Sequence, residues 1–262
     1  MAEIRDGDYV LFYLDSRKNW LLPVKAGGTF HLHRGFLKFD DIIGKKYGCF
    51  VATSLGAQIA ALPPLPRDLA VKMGRQTNII YPKDAGLILL LGGIGPGSLV
   101  VEAGTGSGAL ASLLGYHVRP KGHVYSYEIR DDFAKGAQKN LTKVGLEEVV
   151  TIKNRDVLTG IEERQVDAVV LDMATPWEVV PLAYDALRGG AVFISFSPTI
   201  EQTQRTVEAL YASHFIEIQT FELIEREMLV RTGKTRPAIR MIGHTGYISS
   251  ARKVYPPSES QP

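Results

Sequence analysis

The sequence predicts an α/β fold, a doubly wound and mainly parallel sheet of seven strands behind a small antiparallel β domain. Three observations carry this. From Arg67 onward, short apolar runs alternate with helix-compatible segments, the rhythm of consecutive βα units with right-handed crossovers. An apolar run at Leu99–Val101 leads into Glu102, then into Gly104, Gly106 and Gly108 at alternate positions, a turn that brings a strand into the N-terminus of a helix. Residues 1–62 hold only short β-prone runs separated by Gly, Asp or Lys.

In the first region, Tyr9–Tyr13, Asn19–Val24, Thr29–His33 and Cys49–Thr53 are rich in aromatic and β-branched residues and read as strands. Residues 62–66, Leu-Pro-Pro-Leu-Pro, form a stiff linker, because stacked prolines enter neither a helix nor a central strand. The expected domains are therefore 1–62 and 63–255, followed by a disordered tail, 256–262.

In the second region, Asp68–Met73 and Asp84–Leu91 read as helices, with Asp84 as a candidate N-cap. The main sheet follows. Leu99–Ala103 is its first strand and Ala109–Val118 the helix behind it. His123–Tyr127 is the second strand. Asp131–Val144 is a helix opened by two acids that suit its positive end. Val149–Lys153 and Asp167–Leu171 are the third and fourth strands. Trp177–Leu187 is a helix closed by Arg188-Gly189-Gly190. Ala191–Phe196 is the fifth strand and Glu201–Ser213 a helix. Phe215–Leu223 and Ile239–Ser249 read as late strands joined by a polar loop, Arg231–Pro237. With no helix between them, at least one of the two is antiparallel.

Composition narrows the class. The 262 residues are 45% hydrophobic and 22% charged, with net charge +2, enough for an α/β core plus a smaller module and only mildly basic. The single cysteine, Cys49, excludes an intrachain disulfide and a cysteine-based metal cluster and suits a reducing, cytoplasmic setting. Glu3, Arg5, Asp6 and Asp8 do not make a signal peptide. No uncharged apolar run reaches membrane-spanning length.

The glycine loop formally matches a dinucleotide fingerprint, but the acids around it argue otherwise. Glu102 would repel a pyrophosphate and welcome a ligand carrying an amino group and a sulfonium. Glu128 ends the second strand, where an acid can accept both ribose hydroxyls. Asp156 follows the third strand and Asp172 ends the fourth. Acids at successive strand ends line one crevice.

Residues 102–108, Glu-Ala-Gly-Thr-Gly-Ser-Gly, resemble the first motif of class I S-adenosylmethionine-dependent methyltransferases. A narrower set adds Tyr81-Pro-Lys-Asp84, Tyr127-Glu128, Leu171-Asp-Met173 with Pro176-Trp177, and Gly243-His-Thr-Gly246. Together with Gly28–Gly35, these resemble the TrmI-like tRNA (adenine-N1)-methyltransferases that act at position 58 of the T-loop, over nearly the whole chain. The resemblance implies a Rossmann-like class I methyltransferase fold, S-adenosyl-L-methionine as cofactor, tRNA as substrate and a homotetramer. It implies that Gly104, Thr105, Gly106, Ser107, Gly108, Ala109 and Leu110 wrap the methionine end of the cofactor and that Glu128 holds the ribose. Arg130 would lie near the adenosine half and Asp156 at the adenine edge. Asp172 would face the target base and Tyr81 would stack on or position it. Whether position 58 alone or 57 and 58 are modified stays open.

The chemistry fits these residue types. Adenine N1 has an in-plane lone pair that attacks a methyl directly, so the protein mainly supplies alignment. A carboxylate at N6 stabilises the positive charge that develops on the base and can take a proton from it. Asp172 lies too far before the helix at 177 to cap it, and Thr175 is the better cap. A T-loop base must be swung out, and an aromatic face such as Tyr81 would receive it. Arg231, Lys234 and Arg236 lie in the densest basic stretch and are candidates for tRNA backbone contact. His31 and His33 lack a third ligand for a metal site. The alternatives are another class I methyltransferase, such as a protein isoaspartate methyltransferase, an NAD-dependent dehydrogenase, and a non-catalytic tRNA-binding subunit.

Overall fold

The computed structural model describes residues 2–72 and 79–256. The chain divides between residues 73 and 74 into two compact units.

The first unit contains β1 (Tyr9–Asp15), β2 (Lys18–Pro23), β3 (Thr29–Leu32), β4 (Gly35–Lys38), β5 (Cys49–Ala52), β6 (Gln58–Leu62) and α1 (Pro66–Lys72). Four strands form an antiparallel sheet in the order β2-β1-β6-β5, and β3 and β4 form a separate hairpin. Alternate residues of β1, Val10 and Phe12, point into a core with Ile4, Leu37, Ile42, Val51 and Ile59. β4 and β6 are additions to the expected strands. His33 falls beyond the end of β3, where its Nε2 meets Lys18 Nζ at 3.0 Å, so it does not share a strand with His31. The unit runs past the expected boundary at 62: α1 packs on β2, and Lys72 Nζ donates to the Asn19 carbonyl at 3.0 Å.

The second unit contains α2 (Pro82–Leu91), β7 (Leu99–Ala103), α3 (Ala109–Val118), β8 (His123–Tyr127), α4 (Asp131–Lys143), β9 (Val150–Lys153), β10 (Val166–Leu171), α5 (Pro176–Ala186), β11 (Leu187–Ser197), α6 (Ile200–Tyr211), β12 (Phe215–Glu222), β13 (Met228–Leu229), β14 (Arg236–Pro237) and β15 (Tyr247–Lys253). Seven strands form one sheet in the order β12-β15-β11-β10-β7-β8-β9. The five from β7 to β11 run parallel, and β15 is antiparallel to both neighbours. The chain winds outward from β7 through β8 and β9, then resumes on the other side at β10. The switch point lies between β7 and β10, where open α/β sheets bind ligands at their carboxyl ends. Both strands are almost wholly buried, with Val100 and Val101 of β7 and Ala168, Val169, Val170 and Leu171 of β10 in the core.

Several expectations need correction. Asp84 is not an N-cap: Tyr81 holds that position because Pro82 takes N1, where a missing N–H costs nothing, and Asp84 lies fully buried one turn inside. Thr175 takes the N-cap position of α5 but makes no side-chain capping bond. The Arg188-Gly-Gly segment follows the end of α5 directly, as expected, but already belongs to β11, and Gly190 takes φ +78° at the irregularity. The last strand begins at Tyr247, not Ile239. Residues 231–237 are not simply a loop, because β13 and β14 pair across them. Met73 and the tail from 257 lie outside the described residues. Among the described residues no helix is long and apolar enough to cross a membrane.

Candidate active site

The apolar residues of β7 bury the strand up to Ala103, and the chain then turns through Gly104, Gly106 and Gly108 at φ +94°, +54° and +80°. Side chains rarely take this left-handed region. Gly104 is doubly constrained, since a Cβ there would drive into the Asp172 carbonyl. The turn is held from both sides. Gly106 N–H donates to Glu128 Oε2 at 2.9 Å, and Asn140 Nδ2 donates to the Ser107 carbonyl at 3.0 Å.

A cavity of about 520 Å³ opens above this loop, within the range of small-molecule sites. Gly104, Thr105, Gly106, Ser107, Ala109 and Leu110 line one side. Glu128, Arg130, Asp156 and Asp172 line the rest. These predicted positions thus come together from the ends of four adjacent parallel strands. Gly108 does not reach the wall; it starts α3 and packs against Ala137.

Glu102 is a correction. It is absent from the cavity wall and lies fully buried beneath the loop, beside its cross-strand partner Ser126, whose hydroxyl donates to Oε2 at 2.5 Å. Among the described residues no partner meets hydrogen-bond geometry at Oε1. Burial pushes this carboxyl up to about 8, with further upward pressure from Asp172 and Glu128 and opposed by Ser126 and the Ala111 amide. The strand pleat turns its side chain away from the mouth. Tyr81 is likewise outside the wall. It is 40% exposed at the start of α2, and Ile79 and Ile80 line the cavity in its place.

The polar groups of the wall fall into two kinds. Glu128 accepts from Gly106 N–H and, through Oε1, from Arg130 N–H at 2.9 Å. Asp156 Oδ1 accepts from Leu158 N–H at 2.9 Å. These carboxylates are held by backbone amides. Asp172 is fixed through its main chain, with N–H donating to the Ala103 carbonyl at 2.9 Å. Gln202 Nε2 steadies the following loop at the Ala174 carbonyl, also at 2.9 Å. The Asp172 carboxylate itself accepts no hydrogen bond among the described residues, and burial raises it to about 7.

Two cations also line the cavity, and acids outside it already engage both. Arg130 Nη2 meets Asp132 at 2.8 Å, and the guanidinium lies 3.8 Å over the Phe133 ring. Arg155 pairs with Glu162. The wall therefore presents three acids while its cations are committed elsewhere, a field suited to a positively charged ligand. The apolar part of the wall, Ile129 and Phe133 with Val157 and Met173, lies outside the expected set. Its signal is an apolar residue directly after the strand-end acid and another in the first turn of α4.

The remaining candidates lie elsewhere. Arg231, Lys234 and Arg236 sit on the β13–β14 hairpin, whose turn is closed by Lys234 N–H to the Arg231 carbonyl at 2.9 Å. All three are exposed, and none forms an ion pair among the described residues. No group of three or more His, Cys, Asp or Glu among the described residues is placed to hold a metal ion.

Comparison with known proteins places the chain in a family. A family described as tRNA methyltransferase complex GCD14 subunit matches residues 59–245, and a TrmI-like N-terminal family matches 3–51. The tRNA (adenine(57)-N(1)/adenine(58)-N(1))-methyltransferase TrmI of Methanocaldococcus jannaschii is 36% identical over 93% of this chain and 94% of its own. The tRNA (adenine(58)-N(1))-methyltransferase TrmI of Thermus thermophilus is 32% identical over 89% and 92%. Among solved structures, a SAM-dependent O-methyltransferase from Thermotoga maritima superposes with TM-score 0.92 at 36% identity, covering 98% of this chain and 96% of that one. The tRNA (m1A58) methyltransferase TrmI from Aquifex aeolicus gives 0.85 at 28%, covering 97% and 100%. The chain belongs to the TrmI-like tRNA (m1A58) methyltransferase family, within the class I S-adenosylmethionine-dependent methyltransferases.

Proposed function

We propose that this protein transfers a methyl group from S-adenosylmethionine to N1 of an adenine in the tRNA T-loop. The observation that carries the proposal is the free carboxylate of Asp172 at the mouth of a cavity whose other acids are held by backbone amides.

The residues present fit the cofactor. The glycine turn leaves room for close backbone approach, Glu128 is placed for the ribose and Asp156 for the adenine edge. Arg130 with Ile129 and Phe133 offers flat, apolar surface to a purine. Glu102 acts from below, as a buried acid under the turn. When bound, S-adenosylmethionine supplies an electrophilic methyl carbon on a sulfonium. The chain's own residues then orient the acceptor. Asp172 accepts a hydrogen bond from adenine N6 and stabilises positive charge as it spreads over N1, C6 and N6. Tyr81, exposed beside Ile79 and Ile80, receives the swung-out base. Arg231, Lys234 and Arg236 contact tRNA phosphates.

Position 58 is the target common to the names of the TrmI relatives cited above, and the name of the Methanocaldococcus relative supports a second methyl at 57. A homotetramer is part of the proposal. It is supported by apolar side chains held in solvent between β12 and β15, among them Ile224, Val230 and Ile239. The lone cysteine supports a cytoplasmic location.

The test is incubation with tRNA transcript and methyl-labelled cofactor, followed by nucleoside mass spectrometry. The expected product is 1-methyladenosine from the T-loop. A ribose O-methyl product would instead support the activity in the Thermotoga protein's name, and label on isoaspartyl peptide but not on tRNA would move the protein to another methyltransferase class.

A further inference from the structure

Residues 223–246 leave the sheet at the end of β12 and return at β15, although these strands are neighbours paired up to Glu222 and Tyr247. So long a connection between adjacent strands is uncommon unless it has a function. It carries the basic hairpin.

Both ends of this excursion are gripped by one side chain. Lys83 Nζ donates to the Leu223 carbonyl at 2.8 Å, to Thr245 Oγ1 at 2.7 Å and to Asp84 Oδ1 at 2.7 Å. The Thr245 hydroxyl donates to Asp84 Oδ2 at 2.8 Å. All three ammonium donors find acceptors, and both Asp84 oxygens are used. Asp84 is fully buried, and the Lys83 side chain is 10% exposed. Removing both charges from water is expensive, and apolar packing would close the same space at less cost. What the ion pair adds is directional geometry.

The residues that lead into this helical turn reach the cavity. Lys83 and Asp84 follow Tyr81 and Pro82 at the start of α2, and Ile79 and Ile80 just before them line the cavity. The short stretch 79–84 therefore reaches from the cavity wall to the residues that hold the root of the basic excursion.

We propose that Lys83, Asp84 and Thr245 are positioning residues that couple the seating of the Arg231–Arg236 hairpin to the wall at Ile79 and Ile80, so that tRNA gripped by the hairpin is presented with its adenine in register. This rests on the tRNA reading above. Lys83 touches neither the cofactor cavity nor the hairpin tip; it acts through the segments it joins.

The test uses the full-length protein. Lys83→Met would strand a buried carboxylate and endanger folding, so the primary variant is Thr245→Val, with Thr245→Ser as the conservative rescue. Thr245→Val loses both bonds made by the Thr245 hydroxyl and keeps the ion pair. Its kcat/KM for tRNA should fall about fivefold, its affinity for S-adenosylmethionine should match wild type, and trypsin should cut at Arg226–Arg240 faster. Thr245→Ser should restore all three readouts. A Thr245→Val protein with wild-type kcat/KM overturns the coupling. A parallel fall in cofactor affinity also overturns it, because that marks a general loss of structure. A wild-type protein that transfers no methyl to tRNA defeats the activity reading and the coupling with it. The trypsin comparison still distinguishes that case, since the anchoring bonds would show there without any tRNA.

Discussion

The two ends of the cavity hold their acids differently. Beyond the ends of β8 and β9, Glu128 accepts two backbone N–H groups, and Asp156 accepts one. At the other end, the Asp172 carboxylate accepts none among the described residues, and burial lifts it to about 7. A carboxylate engaged by amides is already fixed in place and can orient a ligand without reorganising. A half-buried carboxylate that faces the cavity without a protein partner is open to a ligand and gains most when a charge or a proton donor arrives. The first arrangement suits binding and the second suits chemistry.

The largest effect should come from the unsatisfied end. Asp172→Ala should lower methyl transfer to tRNA about 10³-fold and leave cofactor affinity close to wild type. Calorimetry paired with single-turnover kinetics measures both, and wild-type turnover would remove Asp172 from the mechanism. Glu128→Ala should give the reverse pattern, weakening cofactor binding about 30-fold through loss of charge-assisted hydrogen bonds, with a smaller effect on the rate at saturation. Unchanged affinity would break the distinction between the ends.

The pH dependence sharpens the comparison. The accepting form of Asp172 is the carboxylate, and burial raises its pKa to about 7. The single-turnover rate should therefore climb about tenfold per pH unit below that point and level off above it. A rate independent of pH below 7 would contradict the assignment. The sign for stability is opposite. Both Asp172 and Glu102 bind protons more tightly folded than unfolded, so the cofactor-free protein should lose stability as pH rises from the ordinary carboxylate range through 7 to 8. The smallest effect lies outside the cavity. Replacing Arg231, Lys234 and Arg236 by alanine should flatten the log–log salt slope of tRNA binding by about 2 and leave cofactor binding alone. An unaltered slope would exclude the hairpin from RNA contact.

What is legible in the sequence is local. The glycine turn, β7, α3 and β8 match their expected bounds because apolar runs and glycine spacing are read within a few residues. β6 escapes such a reading because Ala60 and Ala61 have weak β propensity and are strand residues by burial. Local pattern places the last strand too early, since Ile239, Met241 and Ile242 read as a buried run, whereas all three are exposed. Asp84 reads as a cap because its partner Thr245 lies 161 residues away. Glu102 falls on the expected strand and the opposite face. Proximity to the loop is legible, but the direction of its side chain depends on Ser126 across the ladder.

The most direct measurement is a crystal structure with S-adenosylhomocysteine. Ribose hydroxyls are expected within hydrogen-bonding distance of Glu128, the adenine beside Asp156 and the sulfur on the side of Asp172. A ligand seated away from Glu128, or a sulfur turned from Asp172, would contradict the division into a binding end and a reacting end.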